Sequence, residues 1–352
     1  MPVTTVIVAP DALERFVRAA LEAAGADAAT TNAASRAMMH GSRLGVDSHG
    51  VRLLEHYISV MEGGRVNKAP KLRFSSGFGA VAALDADHAH GALAAYAGMD
   101  KAVELARTAG IGAVSIRNSS HFGPAGAYAL AAAEAGMIGF ATCNSDAFVR
   151  LHDGAFRFHG TNPLAFAVPA EGNPWLFDMA TSAIPFNRVQ LYRSLGVEVP
   201  AGTGSDDAGI DTLDAHAVEM LAPLGAAFGF KGAGLAGVAE IFSAVLSGMR
   251  LSFDILPMNG EDRSTPRELG AFVLALRPDA FVDRATFEDG MRRYLAALRA
   301  STPREDGMVM APGDREWAVA AERVDGIPLD PVTVEGFGRL AEHYGLPSLD
   351  VL

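Results

Sequence analysis

The sequence predicts an α/β protein whose helical chain ends pack together and enclose an α/β middle. Two observations predict this class. Residues 1–74 carry apolar side chains at helical spacing, residues 75–281 alternate strand with helix signals, and residues 282–352 return to helical spacing. The length of 352 residues exceeds what one compact core usually holds, so we expect two lobes with a cleft between them.

Three helices are predicted within residues 1–74. The first follows the helical spacing of its apolar residues and ends at Gly25, and the second covers residues 28–39. The third is expected to begin after Asp47 and Ser48, since both side chains are good N-caps. The residues that follow Ser48 would then lie in the first turn of a helix.

Residues 75–281 are expected to form the α/β part, and residues 282–352 to form helices that pack on the N-terminal segment. A long excursion, rich in Gly, Pro and Asp, is predicted over residues 196–229. One C-terminal helix is expected to begin at Asp330 and Pro331. In the α/β part, helices are predicted over residues 91–109, 123–135 and 235–246, and strands over residues 112–116, 137–142, 164–168, 175–179 and 271–276.

The composition excludes several classes of protein. The chain has 41 acidic and 29 basic residues and a net charge of -12, whereas a nucleic-acid partner requires a basic surface. One cysteine, Cys143, allows neither an intramolecular disulfide nor a zinc site of several cysteines, and we expect a cytoplasmic location. The chain lacks the run of about eighteen apolar residues that a membrane span needs, and its N-terminus shows no signal-peptide pattern.

The first candidate site is the segment of residues 47–52, Asp-Ser-His-Gly-Val-Arg. In a first helical turn, His49 and Arg52 would project from neighbouring positions near a helix N-terminus, which favours negative charge. An imidazole beside a guanidinium suits an anionic substrate, because Arg52 would bind a carboxylate and His49 would transfer a proton. The alternative is structural, with a solvated His49 and with Arg52 paired on the surface with Glu55 or Glu14.

The second candidate site is the segment of residues 118–126, which joins a strand to a helix. Its small residues, exposed amides and proline are typical of a phosphate cradle, and His121 lies within it. A plain strand-to-helix turn that contains a histidine is an equally good interpretation. Both interpretations stay open from the residues alone.

The third candidate site is the segment of residues 229–237, whose glycines match the dinucleotide fingerprint Gly-x-Gly-x-x-Gly. We reject a Rossmann interpretation, because the fingerprint should follow a buried strand and here it follows a loop and runs into a helix. A helix packed closely through its glycines is the structural alternative. Lys231 favours a binding role, since the chain has four lysines and this one stands among glycines, where it can meet a phosphate or a ribose.

Two other interpretations have weaker support. His88 and His90 stand two residues apart, as in a metal pair on a strand, but no third ligand lies nearby in the sequence. Ser119, His121 and Asp178 could form a hydrolase triad, yet the chain has no Gly-x-Ser-x-Gly elbow. We therefore predict no metal site, and a metal-dependent hydrolase remains the alternative from another class.

Six motifs occur in a fixed order and at compatible spacing, and together they are far more specific than any one of them alone. They are residues 47–52, 118–123, 143–146, 160–165, 177–182 and 231–235. Together they resemble the malate/L-lactate dehydrogenase family, whose members lack a Rossmann fold. The family also includes ureidoglycolate, sulfolactate and diketogulonate dehydrogenases or reductases, and reductases of cyclic imines. The resemblance covers nearly the whole chain.

The resemblance implies interconversion of a small 2-hydroxy acid and its 2-oxo acid with NAD or NADP in a homodimer. It also implies a non-Rossmann NAD(P)-binding domain with a mixed sheet and a helical domain built from both chain ends. In that family the acid/base corresponds to His49 beside Ser48, although some members use the position of His121. Arg52 would hold the substrate carboxylate and Thr161 would line the pocket. The family's cofactor contacts carry over to His121, Phe122, Gly123, Ser145, Asp178, Met179, Ala180, Lys231, Gly313 and Asp314.

One position departs from the family pattern. Imine-reducing members have a catalytic aspartate ten residues after the aspartate of the Asp-Met-Ala motif, where this chain has Arg188. The departure favours a carbonyl or alcohol reaction, in which Arg188 could meet a second anionic group of the substrate. Reduction of a cyclic imine such as pyrroline- or piperideine-2-carboxylate is the alternative activity.

Overall fold

The computed structural model describes residues 6–349 and shows a mixed α/β protein, as the sequence predicts. The helices are α1 (Pro10–Ala23), α2 (Ala28–Arg43), α3 (Leu54–Glu62), α4 (Gly91–Ala109), α5 (Gly126–Glu134), α6 (Phe186–Leu195), α7 (Phe230–Glu240), α8 (Arg284–Arg299), α9 (Asp314–Glu322) and α10 (Pro331–Tyr344). The strands are β1 (Val6–Val8), β2 (Arg73–Ser76), β3 (Val81–Asp85), β4 (Ile111–Ser119), β5 (Ile138–Cys143), β6 (Val149–Arg150), β7 (Arg157–His159), β8 (Leu164–Val168), β9 (Trp175–Met179), β10 (Gly204–Ser205), β11 (Met220–Leu221), β12 (Leu269–Leu276) and β13 (Ile327–Leu329).

The centre of the fold is a seven-stranded mixed sheet in the order β2-β3-β4-β12-β5-β8-β9. Strands β3 and β4 run parallel, and every other neighbouring pair described in this sheet is antiparallel. Helices α4 and α5 pack against it through small side chains. A Cβ atom on Gly112 of β4 would lie 2.0 Å from the carbonyl oxygen of Ala102, so α4 can approach the strand only because residue 112 is glycine.

The two ends of the chain share one core. Strand β1 pairs antiparallel with β13, and α1, α2, α3 and α10 enclose the apolar side chains between them. The rings of Phe16 and Phe337 lie 5.0 Å apart in this core, although most of the chain separates them in sequence. The N-terminal and C-terminal segments therefore pack on each other, while the predicted domain limits at residues 74 and 281 stay a prediction.

The predicted start of the third helix after Ser48 is wrong. Residues 47–53 form two short 3₁₀ turns without side-chain caps, and α3 begins at Leu54. Gly50 between the two turns is extended, and a Cβ atom on it would lie 2.3 Å from the hydroxyl oxygen of Ser42 in α2. The close approach to α2 therefore interrupts the helix at this point.

The remaining differences from the predictions concern element ends and missed elements. Helix α5 begins at Gly126 rather than at residue 123, and α7 begins at Phe230 and continues into a π-helical turn, Ile241–Val245. The sequence pattern predicts neither α6 nor the strands β2 and β3. Residues 196–229 leave the main sheet as expected, and their short strands β10 and β11 join β6 and β7 in a four-stranded sheet. None of the described helices is long and apolar enough to span a membrane.

Candidate active site

Two histidines that the sequence predicts as site residues lie together. His49 ends the first 3₁₀ turn and His121 lies just after β4, and their ring centres are 5.8 Å apart with the ring planes inclined by 27°. Both residues are half-buried. The hydroxyl oxygen of Ser48 lies 2.9 Å from Nδ1 of His49. The fold therefore brings together the three residues predicted as catalytic.

A tyrosine and a third histidine complete this group. Tyr57 is not predicted as a site residue, and His90 is considered from the sequence only as half of a weakly supported metal pair. The Tyr57 hydroxyl lies 2.9 Å from Nδ1 of His121, and the Tyr57 ring meets the His90 ring edge-on, with centres 4.2 Å apart. His90 caps α4, since its Nδ1 accepts a hydrogen bond of 3.1 Å from the Ala92 N–H. The sequence contains no specific signal for Tyr57, because a tyrosine on the apolar face of a helix is usually a core residue. We call His49, Tyr57, His90 and His121 the histidine cluster.

Burial keeps the rings of the histidine cluster uncharged. Desolvation lowers the pKa of His49 and lowers the pKa of His90 to about 3. The pKa of His121 falls well below its usual value, first because of burial and then because His49, His56, Arg267 and His90 lie near. Each neutral ring can donate one proton and accept one. A bound anion would raise these pKa values, because an adjacent negative charge favours the imidazolium form.

Buried arginines make the surroundings of the histidine cluster positive. Arg65 and Arg267 are each 3% exposed, and Arg267 pairs with Asp146. Arg65 donates to a backbone carbonyl through one nitrogen, while its Nε and Nη1 have no hydrogen-bond partner among the described residues. After burial itself, Arg263, Arg267 and Arg65 are the next causes that lower the pKa of His56 to about 4. Arginines therefore outnumber carboxylates among the charges that act on His56, and Arg267 acts on His121 as well.

Arg52 is engaged at the protein surface. Its Nη1 lies 2.8 Å from a carboxylate oxygen of Asp330, and its side chain is 45% exposed. The predicted surface partners Glu55 and Glu14 are wrong, since each pairs with a different arginine. Asp330 also caps α10, so Arg52 links the 3₁₀ turns to the C-terminal helix. A substrate carboxylate would have to compete with Asp330 for this guanidinium.

Asp178, in β9, contacts the N-terminus of α5. Its Oδ2 accepts a hydrogen bond of 2.7 Å from the Gly126 N–H, where a helix presents unpaired amide groups. A Cβ atom on residue 126 would lie 2.9 Å from that oxygen, so the contact needs a glycine. Asp178 stays open to solvent on one side, and desolvation on the other raises its pKa to about 6. A helix N-terminus and a readily protonated carboxyl group therefore meet at this point.

A buried carboxylate connects α7 to two of the predicted site loops. Glu240 is 7% exposed and accepts hydrogen bonds from the side-chain amides of Asn144 and Asn162, at 3.3 and 2.8 Å. It also accepts one of 2.6 Å from the Ser252 N–H. Sequence reasoning missed Glu240, because a glutamate in a helix is usually an exposed residue.

The predicted site residues Ser145 and Thr161 lie in the two loops that this carboxylate joins. The Thr161 N–H donates to the Ser145 hydroxyl at 3.2 Å. A Cβ atom on Gly160 would lie 2.2 Å from the same oxygen, so the loops meet only because residue 160 is glycine. The Thr161 carbonyl accepts a hydrogen bond of 2.9 Å from the Thr181 N–H, which connects this loop to the segment after β9.

Lys231 is exposed at the start of α7. Its ammonium nitrogen lies 5.4 Å from the centre of the Phe228 ring, and it forms no ion pair with a carboxylate among residues 6–349. Of the three fingerprint glycines, Gly232 has a packing reason, since a Cβ atom there would lie 2.2 Å from the Leu224 carbonyl oxygen. A Cβ atom on either of the other two would meet no atom within 4 Å. Packing therefore explains one glycine of the fingerprint and leaves the lysine unexplained.

Four further predicted cofactor residues lie at or just after the ends of β4 and β9. Phe122 is buried, and Gly123 has a φ of +76°, which favours glycine. A Cβ atom on Gly123 would lie 3.4 Å from the Tyr57 hydroxyl oxygen, so this residue borders the histidine cluster. Met179 and Ala180 follow Asp178 and are half-buried.

Gly313, Asp314 and Arg188 lie at other positions. Gly313 has a φ of +95° and packs on β9, where a Cβ atom would lie 3.0 Å from the Leu176 nitrogen. Asp314 is held by Arg299 through hydrogen bonds of 2.6 and 3.0 Å. Arg188 lies on α6, is exposed, and has no side-chain partner among the described residues. None of the hydrogen bonds, ion pairs or ring contacts described in the structure joins these three residues to the histidine cluster.

Within the described part of the chain, the residues of the alternative hydrolase and metal sites do not come together. Tyr57 faces Nδ1 of His121, and the amide of Gly126 faces the carboxylate of Asp178, so no Ser-His-Asp relay connects them. Within residues 6–349, no group of three His, Cys, Asp or Glu side chains is placed to hold a metal ion.

A sequence model of the malate/L-lactate dehydrogenase family matches residues 8–337. The chain belongs to this family. The malate dehydrogenase of Pyrococcus abyssi is 33% identical over 316 residues, which cover 87% of this chain and 86% of that protein. The NAD(+) ureidoglycolate dehydrogenase of Escherichia coli is 33% identical over 295 residues, covering 83% of each. The NADP(+) (2R)-3-sulfolactate dehydrogenase of Chromohalobacter salexigens is 31% identical over 325 residues, covering 92% and 94%.

Solved structures match the whole fold. Sulfolactate dehydrogenase from Methanocaldococcus jannaschii superposes with a TM-score of 0.92 at 25% identity, over 98% of this chain and 99% of that one. The Δ1-piperideine-2-carboxylate reductase of Pseudomonas syringae superposes with a TM-score of 0.84 at 26% identity, over 95% and 99%. The family resemblance seen in the six sequence segments is therefore confirmed, and both proposed activities occur among the relatives.

Proposed function

We propose that the protein interconverts a small 2-hydroxy acid and its 2-oxo acid by hydride transfer with NAD or NADP, with His49 as the acid/base. As a member of the family, the chain is an NAD(P)-dependent oxidoreductase. The observation that carries the residue assignment is the pair of neutral rings, His49 and His121, beside buried arginines. A neutral imidazole can take a hydroxyl proton, and positive surroundings attract an acid anion.

The cofactor site that we propose is formed by the segments around Ser145, Asp178 and Lys231. The amides at the N-terminus of α5 and the Lys231 ammonium, which has no ion-pair partner among the described residues, suit the phosphates. The Asp178 carboxylate suits ribose hydroxyls. When bound, the nicotinamide ring supplies or receives the hydride. Because the glycine fingerprint lies inside α7, the nucleotide would bind without a Rossmann turn.

Replacement of Lys231 by alanine is expected to weaken the binding of NADH or NADPH about five- to tenfold, since an exposed charge contact is worth about 1 kcal/mol. Fluorescence titration measures the Kd. Lys101→Ala is the matched control, because Lys101 pairs with Glu104 on the surface of α4. Equal Kd values for Lys231→Ala and the control would remove Lys231 from the proposed site.

Arg52→Ala is expected to raise KM for the oxo-acid substrate by about tenfold or more while changing cofactor affinity little, because a charge-assisted contact to a carboxylate contributes about 1.5–3 kcal/mol. Steady-state kinetics at saturating cofactor measures the change. Arg339→Ala controls for the lost surface ion pair, since Arg339 of α10 pairs with Glu55 of α3 on the surface, just as Arg52 pairs with Asp330 at the start of α10. Similar KM values for both variants would mean that Arg52 has a structural role alone.

The homodimer that the resemblance implies is part of this proposal. Exposed apolar side chains along α7 and its π-helical turn, among them Leu235, Val238 and Ile241, support a contact between two copies of the chain. Light scattering coupled to gel filtration measures the mass in solution.

The cytoplasmic location stays a prediction from the single cysteine.

The decisive test of the proposed function is a cofactor-oxidation assay. Purified protein is incubated with NADH or NADPH and with pyruvate, oxaloacetate or a cyclic imine carboxylate, and the absorbance of the reduced cofactor is followed. Faster oxidation with a 2-oxo acid than with an imine is the expected result. Oxidation with neither substrate class would refute the proposal.

A cyclic-imine reductase is the second candidate function. The piperideine-2-carboxylate reductase structure shares the fold and supports it. The residue at position 188 argues against imine reduction. By the family resemblance this is the position of the catalytic aspartate of imine-reducing members, and here it is Arg188, exposed on α6. Preferential reduction of pyrroline- or piperideine-2-carboxylate in the same assay would select this second function.

A further inference from the structure

The hydrogen bond between Tyr57 and His121 distinguishes the two half-buried histidines of the cluster. Tyr57 is 2% exposed on α3, and its hydroxyl oxygen lies 2.9 Å from Nδ1 of His121. Within residues 6–349 this hydroxyl has no other hydrogen-bond partner. The contact therefore fixes which nitrogen of His121 faces the phenol.

The direction of this hydrogen bond follows from the two groups. Burial raises the pKa of Tyr57, so the hydroxyl keeps its proton, and burial lowers the pKa of His121, so the ring is neutral. A protonated phenol that faces one ring nitrogen and no other acceptor donates its proton to that nitrogen. Nδ1 of His121 is then the acceptor, and the ring proton must stand on Nε2.

We propose that Tyr57 is a positioning residue that holds His121 in its Nε2–H form, so that His121 donates a hydrogen bond to the reacting oxygen while His49 transfers the proton. This inference rests on the proposed function. A ring whose Nδ1 accepts from Tyr57 and whose Nε2 carries a proton has no free lone pair. His121 therefore cannot serve as the general base. The hydrogen-bond neighbours of the two histidines, Ser48 for His49 and Tyr57 for His121, decide which ring transfers the proton.

His49 has a different neighbour. Its Nδ1 lies 2.9 Å from the hydroxyl of Ser48, and a serine hydroxyl can donate or accept. His49 can therefore hold its proton on either nitrogen and exist as imidazole or imidazolium beside the same serine. In the reductive direction, the hydride with its electron pair goes to the carbonyl carbon, the π electrons go to oxygen, and His49 gives its proton to that oxygen. His121 keeps its proton and only donates a hydrogen bond.

His90 provides a reference within the same cluster. Its Nδ1 accepts the Ala92 N–H at 3.1 Å, which also requires a neutral ring with the proton on Nε2. The Tyr57 ring packs edge-on against this ring, with centres 4.2 Å apart, so His90 helps to orient the phenol. We therefore expect His90 and His121 to show the same tautomer, for two independent reasons.

The experiment is ¹⁵N NMR of protein labelled at histidine, with the ring signals assigned from His49→Gln, His90→Gln and His121→Gln variants. In the wild type we expect an unprotonated Nδ1 and a protonated Nε2 for His121. Tyr57→Phe should allow both tautomers of His121 and lower kcat about tenfold, with the Kd of the cofactor unchanged. Tyr96→Phe is the matched control, because it removes the hydroxyl of another buried tyrosine, whose ring contacts Arg36 and Tyr128.

A protonated Nδ1 on His121 in the wild type would overturn the inference, and so would an unchanged kcat in Tyr57→Phe. The first measurement does not use the Tyr57→Phe variant, so it tests the inference even where that variant does not fold. Failure of the proposed function would give a different result. Wild-type protein that reduces no 2-oxo acid would refute that function and the catalytic role of His121, even if the NMR spectra showed the expected tautomer.

Discussion

Replacement of His49 by alanine is expected to slow the turnover of oxo-acid reduction about 10²- to 10⁴-fold, the range of a positioned general acid or base. The affinity for NADH or NADPH should stay within about twofold of that of the wild type, because His49 itself is not among the proposed cofactor contacts. Stopped-flow or steady-state kinetics measures the turnover, and fluorescence titration measures the affinity. A His49→Ala variant with full turnover would show that another group transfers the proton.

The pH dependence of kcat/KM provides an independent measurement of the same role. Oxidation of the hydroxy acid needs neutral His49, and burial lowers the pKa of His49 from its ordinary value of 6.5. The rate of oxidation should therefore rise with pH, and the midpoint of the rise should lie below pH 6.5. Reduction needs the imidazolium form, so its rate should fall as pH rises through the same pKa. Ser48→Ala is expected to keep both transitions with a lower kcat, whereas His49→Ala should abolish both.

Replacement of Glu240 by alanine is expected to lower the free energy of unfolding by about 3 kcal/mol or more. The change removes one of the two acceptors of each side-chain amide of Asn144 and Asn162 and the acceptor of the Ser252 N–H. Each buried N–H that is left unsatisfied costs about 1–3 kcal/mol. Urea denaturation measures the free energy. The Kd of the cofactor should rise as well, because Glu240 joins the loops of Ser145 and Thr161 to the helix of Lys231.

The control for this variant is an exposed glutamate. Glu219 forms a surface ion pair with Arg157, so Glu219→Ala should change the free energy of unfolding by about 0.5 kcal/mol or less. Glu240→Gln keeps one carbonyl acceptor and should lie between the two. A Glu240→Ala variant as stable as the Glu219→Ala control would mean that water replaces the carboxylate and that the loops do not depend on it.

Local patterns predicted the regular elements well where turn signals bound a clear periodicity. Helix α4 and the strands β8 and β9 have the predicted bounds, because glycines or prolines limit an apolar run at or near their ends. Helix α6 was missed, because Val189 is its one fully buried apolar residue among those described and the helix shows no apolar stripe. The start of α3 was misplaced because contact with Ser42 of another helix decides the conformation of Gly50, and no local pattern records that contact.

In the candidate site, too, some residues could be predicted from local motifs and others could not. Motifs identified His49, His121 and Lys231, since their residue types are unusual at those positions. Tyr57 was missed, because a tyrosine in a helix looks like an ordinary core residue. His90 was considered only as half of a metal pair, because no local pattern shows that this helix cap packs against Tyr57. Arg65 and Arg267 were missed for a related reason, since an arginine is usually exposed and only the packing of distant segments buries these two.

The sequence by itself determined the family, the α/β class, and the chemical groups available: histidines for proton transfer, arginines for an anion, and a lysine among glycines for a phosphate. The tertiary structure alone decided how these groups are protonated and paired. Tyr57 reaches Nδ1 of His121, Asp330 holds Arg52, and Asp178 meets the N-terminus of α5. The physical reason is that a pKa or a hydrogen bond depends on burial and on atoms within a few ångströms, and the fold draws those atoms from segments far apart in the chain.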